Sequence, residues 1–432
     1  MEILSLGEKI KRRRKELGMT LKDLAGDRIT PGQISLVESG KSNPSMDLLE
    51  YLALTLKTTV EYLMESEESQ AEKICLYYEN IAEAHILNDD LISGENNLEI
   101  CLYYAEKYKL EYRKAKNLYL LAKTHEKRKE FAAAQQFYLS ANVIFIKNNN
   151  YEEIVNTFLN LGKITFILEA YHSSNSYFQQ AEKVFIDNDI GNDFLIAEIY
   201  YNMAKTYFKL DNIDKAMNYA FLSKEKFEAL NNKKEYAKTL MLLSDEYNKK
   251  GDILSAIKYS KKTLAIYKEI DGLNDVAEIE NSLGKLFYEF ENFEESFKHL
   301  YVAKNLREKN EDGKLNDTLI NICENYIRLK DIRNCTKILE EILRNIKDGD
   351  NETLIGYYLL KYRVSMLEGN LKEAENILLI AFNFAKNIDC LKQAAEISII
   401  LGKFYIDNKM DAIAAKHLNE GVELFKQTGI IS

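Results

Sequence analysis

The chain has 432 residues, more than one globular core normally holds, so it folds as several domains or as a repeat array. Hydrophobic residues make up 46% and charged residues 29%, which excludes wholesale disorder, and two prolines against 18 glycines favour helices over a turn-rich strand fold. The net charge of −10 speaks against nucleic acid, yet residues 1–41 carry nine Lys/Arg and six Asp/Glu, a basic head on an acidic body.

Residues 1–65 read as five short helices. Ser5 with Glu8, Thr30 with Gln33 and Thr58 with Glu61 have capping-box spacing, and Thr20 with Asp23 is a near variant. Pro31 follows Thr30 at a first helical position, where its missing N–H costs nothing. Gly18 and Gly40 are placed to stop the first and third helices. Ile10, Leu17, Leu21, Leu24, Ala25, Ile34, Val37, Leu48, Leu52, Leu56 and Leu63 are the expected core of this head. Residues 66–71 (SEESQA) read as a polar linker, and residues 72–432 as a second domain.

That second domain repeats itself. A Leu is followed by a small residue, an aromatic at +4, a turn former at +8, a small residue at +13, a bulky one at +17 and a small one at +20. Leu121-Ala122-His125-Lys129-Ala134-Tyr138-Ala141 fits, as do Leu161-Gly162-Thr165-Glu169-Ser174-Phe178-Ala181 and Leu283-Gly284-Phe287-Glu291-Ser296-Leu300-Ala303. Copies start at 81, 121, 161, 203, 243, 283, 322, 361 and 401, spaced by 39 to 42. Small residues at +1 and +13 let two antiparallel helices approach, and the aromatic and the +17 residue are expected to fill the gap to the next unit. The pattern resembles the tetratricopeptide repeat with a longer period, which implies longer helices. HEAT-type repeats have the length but not this signature. The expected fold is all-α: a five-helix head followed by a right-handed solenoid of about nine helical hairpins.

The run Ile34-Ser35-Leu36-Val37-Glu38-Ser39-Gly40-Lys41-Ser42-Asn43-Pro44-Ser45, preceded by Thr20-Leu21-Lys22-Asp23-Leu24-Ala25, closely resembles the phage-repressor-like helix-turn-helix family over residues 5–64. The resemblance implies that the second helix crosses the DNA backbone and the third lies in the major groove. Thr20, Lys22, Lys41 and Asn43 then match phosphate-contacting positions, while Gln33 and Ser35 are the polar side chains of the reading helix and Thr30 stands at its start. Gln33 could pair with an adenine edge. Arg14 and Glu38 match a pair tying the first helix to the third. The turn between the second and third helices is one residue shorter than the family norm, and Pro31 and Gly32 stand where relatives often carry base-reading side chains, which points to sparse direct readout and more reliance on DNA shape.

In tetratricopeptide arrays the residue before the Leu and the residue after the small position point into a concave groove. The first is asparagine at Asn80, Asn160, Asn202 and Asn321, and the second is lysine at Lys123, Lys163, Lys205, Lys285 and Lys403. Asparagine suits a peptide backbone, and lysine suits a carboxylate. Lysine and asparagine also abound on any solvated helix face; recurrence at two template positions is what singles these out.

Head plus repeats resembles the cytoplasmic peptide-pheromone receptors of Gram-positive bacteria known as the RRNPP family. That resemblance implies a homodimeric regulator of double-stranded operator DNA, switched by a short imported signalling peptide, with Asn160 and Asn202 the best matches to its backbone-holding asparagine. The C-terminal repeats, ending Gln427-Thr428-Gly429-Ile430-Ile431, are the expected dimerisation surface. Two rival readings are a ligand-independent DNA-binding regulator and a protein that sequesters a partner such as a response regulator. No GxGxxG, P-loop, HExxH or GxSxG occurs, the five histidines are scattered, and five widely spaced cysteines read as reduced core thiols. No cofactor, metal or membrane partner is expected, and the location expected is the cytoplasm.

Overall fold

The computed structural model describes residues 2–270, 273–347 and 349–428, with the side chains of residues 273 and 274 outside the description. All regular structure among them is helical, and no helix is long and apolar enough to cross a membrane. The chain forms two compact units, Met1–Asp211 and Asn212–Ser432.

The first unit opens with α1 (Leu6–Glu16), α2 (Leu21–Ala25), α3 (Pro31–Glu38), α4 (Met46–Thr55) and α5 (Val60–Met64). Capping boxes start α1 at Ser5, α2 at Thr20 and α3 at Thr30, as their spacing predicts. The fifth helix departs from expectation by one residue. Thr58 N–H is taken by Ala53 C=O at the end of α4, so the cap passes to Thr59, whose hydroxyl accepts from Tyr62 N–H at 3.2 Å. Ile10, Leu24, Ala25, Ile34, Val37, Leu52, Leu56 and Leu63 are buried in one core, as expected.

The expected linker is not a connection. Ser66 caps α6 (Glu67–Leu87), so residues 67–71 are its first turns: Glu67, Glu68 and Ser69 are exposed, while Ala71 is buried. Gln70 holds Leu4 through both backbone groups, accepting its N–H at 3.1 Å and donating to its C=O at 2.9 Å. Lys9 is 1% exposed and donates to Tyr62 C=O at 2.8 Å and Glu65 C=O at 2.7 Å. Its pKa is lowered, by burial first, with Glu65 opposing. The head is therefore bolted to the first repeat helix.

Beyond α6 come α7 (Leu91–Lys107), α8 (Glu111–Lys127), α9 (Phe131–Lys147), α10 (Tyr151–Ile167), α11 (Tyr171–Asp187) and α12 (Asp193–Lys209). The second unit holds α13 (Ile213–Ala229), α14 (Lys233–Lys249), α15 (Ile253–Glu269), α16 (Leu273–Glu289), α17 (Phe293–Lys309), α18 (Leu315–Arg328), α19 (Ile332–Asn345), α20 (Asn351–Leu367), α21 (Leu371–Asn387), α22 (Leu391–Asp407) and α23 (Asp411–Gln427). Most of these helices run 17 residues, which accounts for the long period. The +8 residue ends its helix in the left-handed region at Asp89, Lys129, Glu169, Asp211, Glu291, Lys330 and Lys409, with Gly251 and Gly369 as the easier solution. Gly429–Ser432, the end of the expected C-terminal surface, lie outside the described residues.

The small +1 residue meets the +17 residue of its own hairpin. The +17 residue also fills the gap to the next unit as expected: Tyr138 shares a core with Leu161 and Ile164, and Leu300 with Leu319 and Ile322. A Cβ on Gly162 would stand 2.4 Å from the Phe178 ring, and one on Gly284 would stand 2.4 Å from Leu300. The +13 serine closes the same contact: Ser174 donates to Gly162 C=O at 2.8 Å, and Ser296 to Gly284 C=O at 2.7 Å. We expect Gly162→Ala to destabilise the protein by about 1–3 kcal/mol in chemical denaturation. Gly191→Ala, whose Cβ meets nothing within 4 Å, should be neutral within about 0.5 kcal/mol.

Candidate nucleic-acid interface and groove residues

In the head, the buried Ile34 and Val37 set the rotation of α3 and turn its opposite side outward. Arg14 clamps the helix from α1: its guanidinium donates to both Glu38 oxygens, at 2.6 and 2.9 Å, and to Met19 C=O at 2.9 Å. Lys22, Ser35, Lys41 and Asn43 are exposed, as are Thr20, Thr30 and Gln33. The last three have local duties. Thr20 N–H and hydroxyl donate to Asp23 at 2.8 and 2.7 Å, which holds that carboxyl below its ordinary range. The Gln33 side-chain oxygen accepts Thr30 N–H at 3.0 Å. While that box is closed, only the NH₂ end of Gln33 is available, so the expected two-point pairing with adenine requires the cap to open.

In the first unit, five of the predicted groove residues converge from α8, α10 and α12. Asn160 donates to the Tyr119 hydroxyl at 2.8 Å, and Lys123 lies over the Tyr119 ring at 5.0 Å. Lys163 pairs with Glu198 in the next hairpin, and Asn202 donates to Glu198 C=O at 2.8 Å. Lys205 packs over Phe166 of α10 at 4.7 Å. Lys123 has an exposed side chain, yet desolvation lowers its pKa, followed by repulsion from Lys116. Asn80, on α6, is exposed with no such neighbours among the described contacts. Lys285 belongs to the second unit, where it lines a recess of about 270 Å³ with Tyr288, Glu289, Asn321, Glu324 and Asn325. Asn321 there donates to Asn281 at 3.0 Å.

Residues 10–63 match the helix-turn-helix family model. The head is a helix-turn-helix domain. It is 39% identical over 66 residues to the HTH-type transcriptional regulator DdrOP3 of Deinococcus deserti, a match spanning 15% of this chain and about half (51%) of that relative. The fold as a whole is similar to the apo form of the quorum sensor NprR from B. thuringiensis, at 13% identity and a TM-score of 0.59, covering 83% of this chain and 100% of that one. The apo form of RapI is similar at 15% identity and a TM-score of 0.52, covering 64% and 99%. The architecture is a helix-turn-helix domain followed by a helical repeat array.

Sequence reasoning missed the partners of the groove residues. Tyr119, whose hydroxyl is pushed up to about 12 by burial, and Glu198 take up Asn160 and Lys163. It also passed over the fifth repeat, where the lysine position is Asp245. The signal was there: an acid interrupts a run of lysines. Desolvation and the neighbouring Glu278 push Asp245 up to about 6, and Glu278 is itself held by Arg307 at 2.6 Å. Next to it Glu246 is 0% exposed, neither carboxyl oxygen has a donor among the described residues, and burial followed by Asp245 raises it to about 8. Being raised in the folded state, Glu246 favours folding at low pH, and that contribution is lost as pH rises through about 8. Glu246→Gln should therefore flatten the pH profile and be more stable than wild type at pH 9, by roughly 2–4 kcal/mol in thermal or denaturant melts.

Proposed function

We propose that this chain is a dimeric transcription regulator whose helix-turn-helix domain binds a two-fold symmetric operator and whose repeat domain takes up a short signalling peptide that alters DNA affinity. The observation that carries the reading is the convergence of Tyr119, Lys123, Asn160, Lys163, Asn202 and Lys205 in one unit with the head. Amides and ammonium groups from three successive hairpins are what an extended peptide with a carboxylate requires. The head in the same unit is held by Gln70 and the buried Lys9, so a shift of the first repeats moves it. Dimerisation follows from the chemistry of DNA reading, since one small head makes too few contacts for specificity. Uptake from outside the cell and a cytoplasmic site of action belong to the same proposal.

The rival reading, a regulator that needs no ligand, is favoured by one specific observation: Asn160 and Lys163 already have partners within the protein. A peptide must exchange those contacts for its own. The two readings separate in a calorimetric titration with peptide recovered by pull-down from culture supernatant. If Asn202 holds its backbone, Asn202→Ala leaves buried peptide groups unpaired and should weaken binding about tenfold or more, with DNA affinity of the ligand-free protein unchanged. Wild-type affinity in both Asn160→Ala and Asn202→Ala would place the ligand elsewhere or remove it from the account.

A further inference from the structure

The reading helix carries an apolar side chain where polar ones are expected. At about 100° per residue, the buried Ile34 and Val37 put Gly32 and Ser39 at the outermost line of α3, Ser35 and Leu36 about 50° to either side of it, and Gln33 about 110° away on the flank. Pro31 and Gly32 offer no polar side chain, and the oxygen of Gln33 caps Thr30. Leu36 is thus the largest side chain near the outer line of the helix, and it is 45% exposed. It is also firmly placed. Its C=O accepts from Lys41 N–H at 2.9 Å and from the Ser39 hydroxyl at 3.1 Å, which fixes Leu36 relative to the lysine expected on the phosphates.

We propose that Leu36 is a specificity-determining residue that reads a thymine through its 5-methyl group. The major groove offers one apolar feature, the methyl of thymine, and a leucine facing the base edges discriminates by burying it. No hydrogen bond of Leu36 is available for any other base. This inference rests on DNA binding by the helix-turn-helix domain and is independent of any ligand in the repeats.

The test uses full-length protein and an operator enriched from random duplexes by selection. Each thymine is replaced in turn by deoxyuridine, which keeps every hydrogen-bonding group and lacks only the methyl. The expected result is one thymine per half-site at which the replacement weakens binding about fourfold, the equivalent of one buried methyl at about 0.8 kcal/mol. Leu36→Ala, exposed and therefore folded like wild type by circular dichroism, should bind the thymine and deoxyuridine operators equally. Indifference of the wild type to every replacement would overturn the proposal, as would a methyl effect that persists in Leu36→Ala. Failure of the selection to enrich any duplex, by contrast, would overturn specific DNA binding itself.

Discussion

A buried ammonium joins the two halves of this protein's design. Lys9 has been taken out of water and repaid by two backbone carbonyls, those of Tyr62 and Glu65, at the point where α5 gives way to α6. A buried charge left without partners costs several kcal/mol, so this geometry has little freedom to relax. With the Leu4–Gln70 pair beside it, the contact turns what reads as a linker into a rigid joint. A regulator with a flexible tether could bring a head to DNA, but it could not convey strain from a repeat to that head.

The repeats meet the complementary requirement. Close approach of paired helices depends on a missing or minimal side chain at one position, with Phe178 against Gly162 and Leu300 against Gly284, and a serine hydroxyl satisfies the nearby carbonyl. Packing of this kind has few intermediate arrangements, because interiors are dense and a displaced ring has nowhere to go. The outward faces of the same helices are then left to carry the amides and ammonium groups of the proposed groove.

Much of this was legible in the sequence, for a physical reason. Spacing encodes helix phase, so the repeat register and the caps at Ser5, Thr20 and Thr30 can be placed from residue types at fixed intervals, whereas the Arg14–Glu38 clamp is legible only through the helix-turn-helix resemblance. Pairings across many residues leave no such mark. Lys163 and Glu198 are 35 positions apart, Leu4 and Gln70 are 66, and nothing local announces either. The cap at Thr59 was missed because α4 closes on Thr58, an event decided by the preceding helix. Gln33 was assigned to DNA from its place on α3, while its second use in the capping box follows from the same spacing that identified the cap.

On the proposed function, occupancy of the repeat face changes how the helix-turn-helix domain holds DNA. The most direct measurement is a fluorescence-anisotropy titration of a labelled, selected operator with the full-length protein, with and without the peptide recovered from culture supernatant. The midpoints should differ by about tenfold or more, which is a coupling of roughly 1.4 kcal/mol between the two sites. Superimposable curves with peptide demonstrably bound would contradict it.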